Sequence, residues 1–198
     1  MGKICKTKEL SMNEIIKAMK ERRSIRHYTT EAVDDKMLDA IIEAGRYAPS
    51  SFNNQALHIT VLRNMEAIAK LDAVVKESTQ KPTYNYFIDL VSQPSFSINN
   101  ANAPVFIIVS VDPGKSDFPA EDGAMVMANI LLASHSLGLG ACWVKQVSPL
   151  SDEPDTRKVL TELGVPEQYA VIGCACVGHR GGLNPAALPR QTTVNFVE

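Results

Sequence analysis

A chain of 198 residues with 45% hydrophobic and 21% charged side chains has the size and composition of an ordinary soluble globular protein. Its net charge of -2 argues against a nucleic-acid surface, which would be basic, and no apolar run approaches the roughly 20 residues of a membrane span. The start, Met1-Gly2-Lys3-Ile4-Cys5-Lys6, lacks the apolar core of a signal peptide and, with Lys at position 6, a complete myristoylation pattern. The chain therefore reads as cytoplasmic, with neither nucleic acid nor membrane as partner.

Ser11-Met12-Asn13-Glu14 has capping-box spacing, and Ile15, Ile16, Ala18 and Met19 supply the apolar face of a helix over 11–21. Directly after it comes Arg22-Arg23-Ser24-Ile25-Arg26. Guanidinium forks pair bidentately with phosphate and a hydroxyl can add a further bond, so this stretch suits one local anion. The alternative is solvated charge at the negative end of a helix dipole. A second helix is expected from 34 or 35 to 47, on Met37, Leu38, Ile41, Ile42 and Ala44. Ala48-Pro49-Ser50-Ser51-Phe52-Asn53-Asn54-Gln55 then breaks the pattern with turn residues and amides.

Strand 57–62 and helix 65–76 follow. Residues 81–102 mix aromatics, amides and prolines without period and read as an irregular, lid-like insertion. Its Tyr84, Tyr86, Phe87 and Phe96 are candidates to stack on an aromatic substrate, or simply to pack the insertion down. Residues 104–111 form the clearest buried strand. A helix over 122–137 is apolar almost all round and so needs cover on both sides, the second from another subunit. A strand-like run over 139–144, a helix over 153–163 and a buried strand over 169–177 precede a Gly-, Pro- and Asn-rich tail carrying Arg180 and Arg190. Cys174 and Cys176, two apart in a strand, face the same way and read with the other cysteines as buried free thiols rather than metal ligands.

Common catalytic motifs are missing. There is no Walker phosphate loop, no complete dinucleotide glycine turn and no GxSxG elbow, and His27, His58, His135 and His179 stand alone. An α+β enzyme without its own catalytic set often borrows chemistry from an organic cofactor.

Arg22-Arg23-Ser24-Ile25-Arg26, then Ala48 to Gln55, then Leu137-Gly138-Leu139-Gly140-Ala141-Cys142-Trp143 together resemble the nitroreductase family of FMN-dependent oxidoreductases, over about residues 11–190. The resemblance implies an α+β three-layer sandwich, with a central mainly antiparallel sheet and flanking helices, as an intertwined homodimer with FMN at the subunit interface. Residues 1–198 would form a single such domain, with the insertion around 81–102. By the same resemblance, Arg22, Arg23, Ser24 and Arg26 hold the phosphate and ribityl chain, Arg26 nearer the phosphate. Pro49, Ser50, Ser51 and Asn53 approach the flavin from the other subunit, with Gln55 supporting that turn. The backbone of Cys142, Trp143 and Val144 lines the isoalloxazine edge, and Arg190 adds a second phosphate contact while the tail wraps over the partner. The implied reaction is a ping-pong exchange, with hydride passing from NADH or NADPH through the flavin to a nitroaromatic or quinone, without a catalytic side chain or a metal. Alternatives are reduced-flavin chemistry with oxygen or a halogenated or unsaturated substrate, FMN storage or sensing without turnover, and a plain interaction domain.

Two departures stand out. Gln55-Ala56-Leu57 replaces the family's usual Gln-Pro-Trp, and Lys145 and Gln146 stand where some members carry an acidic residue and glycine. A lysine beside the flavin would favour an anionic reduced form.

Overall fold

Val105–Val111 is buried along its whole length and forms β2, a central strand covered on both faces. In the computed structural model, which describes residues 13–79, 97–99, 102–183 and 185–197, it pairs with β1 (Leu57–Leu62) and β4 (Ala170–Gly178). Beyond β4 lies β3 (Gly140–Val144), so the order is β1-β2-β4-β3 with every pairing antiparallel. The helices are α1 (Glu14–Glu21), α2 (Asp35–Arg46), α3 (Met65–Thr79), α4 (Pro119–Ser136) and α5 (Pro154–Glu162). Cys5, Ser11 and the aromatics at 84, 86, 87 and 96 lie outside the described residues.

Strand alternation divides the core in two. Phe106, Ile108, Cys174 and Cys176 meet Ile68, Leu71 and Val75 of α3 and Val159 and Leu160 of α5. Val105, Ile107, Val109, Ala175 and Val177 meet Leu38 and Ile41 of α2 and Val126, Met127 and Ile130 of α4. This is the expected three-layer α+β sandwich. Burying a side chain the size of Phe106 or Ile107 contributes about 1.5–3 kcal/mol, so each face has a substantial core of its own.

Cys174 and Cys176 share one face, and Cys142 stands opposite Cys176 in the β3–β4 register. All three are buried and in no disulfide among the described residues, and burial pushes the thiols of Cys142 and Cys174 upward. Thiolate is the reactive form. These cysteines are therefore expected to stay unmodified by a disulfide reagent in the folded protein and to react once it is denatured. Peptide mass mapping checks this, and rapid native labelling at any of them would contradict the packing.

β4 carries one residue more than β2 opposite it. Val109 pairs with Gly173 and Ser110 with Val171, which leaves Ile172 as a bulge. The bulge carbonyl accepts from Lys145 Nζ at 2.9 Å and Ser148 Oγ at 2.7 Å. The Lys145 ammonium thus already holds a backbone oxygen, a role its position in the sequence does not announce.

Two helix starts differ from expectation. α1 is capped by Asn13, whose Oδ1 accepts from the Ile16 amide at 2.9 Å, so the helix itself begins at Glu14. α4 begins three residues before Asp122, because Pro119 suits the first helical position while the polar turn that follows carries no apolar period. The inner side of α4 buries Gly123, Val126, Met127 and Ile130. Its outer stripe of Met125, Ala128 and Leu132 remains partly open, as do Ile15, Ile16 and Met19 of α1. No helix among the described residues is long and apolar enough to cross a membrane.

Candidate functional site

The chain leaves α1 at Arg22 and lies against the start of β3. Ser24 bridges Ala141 in parallel, and the Ile25 amide donates to the Ala141 carbonyl at 3.0 Å. Gly140 permits this approach, since a Cβ there would sit 2.7 Å from Ile25 Cγ2. The arginines then divide. Arg23 Nη1 donates to the carbonyls of Lys20 and Arg22, each at 2.8 Å, and so closes the C-terminal end of α1. Arg22 Nη1 is buried without a hydrogen-bond partner among the described residues, although a guanidinium nitrogen is a strong donor. Arg26 is exposed, and its Nη1 approaches the Ser24 carbonyl at 3.5 Å.

Neighbouring groups tie this corner down. Tyr28 Oη donates to the carbonyl of Ile25 and approaches that of Cys176 at 3.3 Å. Burial, then Cys176 and Cys142, raise its pKa against the pull of Arg26, so the phenol stays neutral. Arg180 Nε donates to the Leu139 carbonyl at 3.1 Å and Nη2 to His135 Nδ1 at 2.8 Å. Burial first, and then the Arg180 charge, lower the His135 pKa, which leaves Nδ1 free to accept. The isolated Tyr28–Arg180 bridge is what draws Arg180 in.

The second group is the turn after α2. Ser51–Asn53 makes one tight 3-10 turn, and Phe52, Asn53 and Gln55 have φ of 51°, 56° and 50°. Left-handed backbone costs a non-glycine residue about 1–2 kcal/mol, most for a bulky one such as Phe52. Side chains hold the shape. Asp122 Oδ1 accepts from the Ser51 amide at 2.7 Å and from Ser51 Oγ at 2.9 Å, while Oδ2 accepts from Ser116 Oγ at 2.6 Å. Ser50 Oγ accepts from the Gln55 amide at 3.1 Å, and Gln55 Nε2 donates to Asn53 Oδ1 at 3.3 Å. Burial alone would raise the Asp122 carboxyl, but the bonds from Ser116 and Ser51 outweigh it and hold the group below the ordinary carboxylate range. Pro49, Phe52, Asn53 and Gln55 remain exposed.

Cys142 and Val144 point their side chains into the core, and Trp143 is half-buried with Nε1 unpartnered. β3 is the edge strand of the sheet, and its outer side carries the Ser24 bridge at Ala141.

Residues 19–179 match the family described as the Nitroreductase family. The chain belongs to the nitroreductase family. Over 174 residues it is 33% identical to a Methanothermobacter thermautotrophicus protein with the provisional name NADH dehydrogenase/NAD(P)H nitroreductase, covering 86% of this chain and 80% of that one. It is 28% identical to a Bacillus subtilis protein named FMN reductase (NAD(P)H), over 94% of this chain and 74% of the other. A Bacteroides fragilis nitroreductase with bound FMN superimposes with a TM-score of 0.87 at 32% identity, covering 94% of this chain and all (100%) of that one. A second FMN-bound nitroreductase, from Desulfitobacterium hafniense, gives 0.82 at 26% identity, over 94% and 100% of the two chains.

Within one chain of this nitroreductase the two groups stay apart. Ser51 bonds to Asp122 in the first turn of α4, whereas Ser24 and Ile25 lie on Ala141, just past its other end. Residues 122–137 separate those ends by roughly 20–25 Å at the helical rise. Arg190 is on the exposed tail, 185–197, away from regular structure. Asp122, His135 and Arg180 were not singled out from the sequence. Asp122 sits beside Glu121 in the polar first turn of α4, where a carboxylate reads as an ordinary helix start.

Proposed function

We propose that this nitroreductase family chain is an FMN-dependent oxidoreductase that takes reducing equivalents from NADH or NADPH and delivers them to an electron-poor small molecule, a nitroaromatic or quinone. The observation that carries the reading is the buried, unpartnered Nη1 of Arg22 beside the exposed Arg26 and the Ser24 hydroxyl. Such a donor-rich corner fits a phosphate, whose oxygens only accept. When bound, FMN supplies the two-electron chemistry, which the amino-acid side chains lack.

The residues then have separate tasks. Arg22 and Arg26 hold the phosphate, with Ser24 adding a bond from the bridge to β3. Arg23 is chiefly a helix-end residue, and its guanidinium charge adds to the attraction for the phosphate. Cys142, Trp143 and Val144 offer the outer backbone of β3 to the ring edge. Pro49, Ser50, Ser51 and Asn53, with Gln55 behind them, meet the ring from a second subunit. Arg190 joins the phosphate once the tail is laid over the partner. The homodimer is supported by the open apolar stripes of α1 and α4, and by the length of α4 between the two half-sites. Two copies of α4 packed antiparallel about a twofold axis would bring the turn of one chain to the arginines of the other. The Bacillus subtilis relative's name supports free flavin as a further acceptor class.

Purified protein incubated with FMN is expected to retain about one flavin per chain, visible in its absorbance spectrum and bleached by NADH or NADPH. Reoxidation should follow addition of a nitroaromatic or quinone. Failure to retain FMN overturns the reading, and retained flavin that neither nicotinamide reduces leaves binding without turnover.

A further inference from the structure

We infer that Asp122 is a positioning residue, which holds residues 50–55 in their left-handed shape and so sets how that turn meets the flavin. The inference rests on the flavin reading above and adds the residue that makes one half of the site. Asp122 is 4% exposed, and among the described residues its carboxylate accepts from Ser51 and Ser116, both neutral donors. A buried carboxylate needs hydrogen bonds to offset its desolvation, and Asp122 takes them from the turn and from the segment leading into α4, which ties the two together. The turn is a run in which Phe52, Asn53 and Gln55 are all left-handed, a conformation that persists only where its surroundings over-determine it.

The placement of Asp122 is itself built. Gly123, the next residue, has no Cβ, and one added there would lie 2.4 Å from Ile172 Cγ1 on the β4 bulge. The bare backbone lets the start of α4 settle on that bulge, which brings Asp122 within reach of Ser51. From the other side, Ser116 Oγ accepts from the Phe118 amide at 3.1 Å while donating to Oδ2, so it fixes the carboxylate to the helix start without touching the turn.

The test uses the full-length chain, stripped of flavin and titrated with FMN, for the wild type and for Asp122→Asn, Asp122→Ala and Ser116→Ala. Amide exchange over residues 49–56 is followed in the flavin-free proteins. Asp122→Ala is expected to speed exchange at Ser51 and to weaken FMN binding about tenfold or more, because only the fraction of molecules with an ordered turn binds. Asp122→Asn keeps an acceptor for Ser51 but loses the charge assistance, and should fall between. Ser116→Ala loosens the carboxylate but leaves its two bonds to Ser51, and should weaken FMN binding less than Asp122→Ala. If Asp122→Ala does not fold, the asparagine variant decides. Wild-type exchange at Ser51 together with wild-type FMN affinity in that variant overturns the inference while the flavin reading stands. Weakened FMN binding in Asp122→Ala without faster exchange at Ser51 also overturns it, since the carboxylate would then act by a route other than the turn. A wild-type protein that binds no FMN removes the flavin reading and this inference with it.

Discussion

Replacing Arg22 by alanine is expected to weaken FMN binding roughly ten- to a hundredfold, the value of one charge-assisted bond of about 1.5–3 kcal/mol. The same change should leave the flavin-free protein as stable as before, or slightly more so. The opposite signs follow from one atom. Nη1 of Arg22 is buried with no partner, so the flavin-free chain bears its desolvation without return. Alanine removes that penalty, and with it the donor a phosphate would use. Arg26→Ala should reduce FMN affinity similarly without a stability change, since Arg26 is exposed and only loosely held. Arg23→Ala should do the reverse and destabilise α1 more than it weakens flavin binding, because Nη1 already serves two helix-end carbonyls. Isothermal titration with FMN and chemical denaturation of the flavin-free protein separate the three. A clear loss of flavin-free stability in Arg22→Ala would mean that the guanidinium already has a partner in solution, and the phosphate assignment would lose its main support.

What could be read from the sequence divides along the range of the interactions. The runs of β2 and β4, the period of α2 and the glycines ending α4 and α5 are local statements, and each element lies within a few residues of its expected place. The arginine stretch and the Ser50–Gln55 turn were visible for the same reason, as dense local chemistry. How each arginine is used was not visible, because Arg22, Arg23 and Arg26 are chemically alike and only packing tells the capping one from the unpartnered one. The Ile172 bulge left no mark in an apolar run where either register buries every side chain. Asp122 and Arg180 act across 71 and 45 residues respectively, on Ser51 and His135, and no spacing rule reaches so far. Lys145 shows a role of the same kind. Its place in the motif suggested flavin electrostatics, and its ammonium also caps the bulge carbonyl 27 residues away. The common thread is backbone irregularity. Where a strand gains a residue or a turn goes left-handed, distant side chains are recruited to hold it, and these the local sequence cannot announce.

The same logic gives a large effect at Gly173. A Cβ there would lie 2.2 Å from Trp143 Nε1 and 2.7 Å from Cε2, inside any contact that atoms tolerate. Gly173→Ala therefore requires the indole to leave its place over β4, or β3 to shift. Overpacking of this kind costs about 1–3 kcal/mol, and the closeness of the clash argues for the upper end. The denaturation midpoint should fall accordingly. Trp143 is the sole tryptophan, so its emission should also move as the ring is displaced. Trp143→Phe removes the nearest atom of the clash and, with it, a buried N–H that has no partner. In that background Gly173→Ala should cost far less, and the difference measures the coupling directly. The consequence extends to function because Trp143 lies on the edge strand proposed to line the flavin. Gly173→Ala should weaken FMN binding in step with the emission change, and the phenylalanine background should restore it. An alanine variant with wild-type stability and emission would show that β3 yields freely, and an edge that soft could not hold a flavin ring in one orientation.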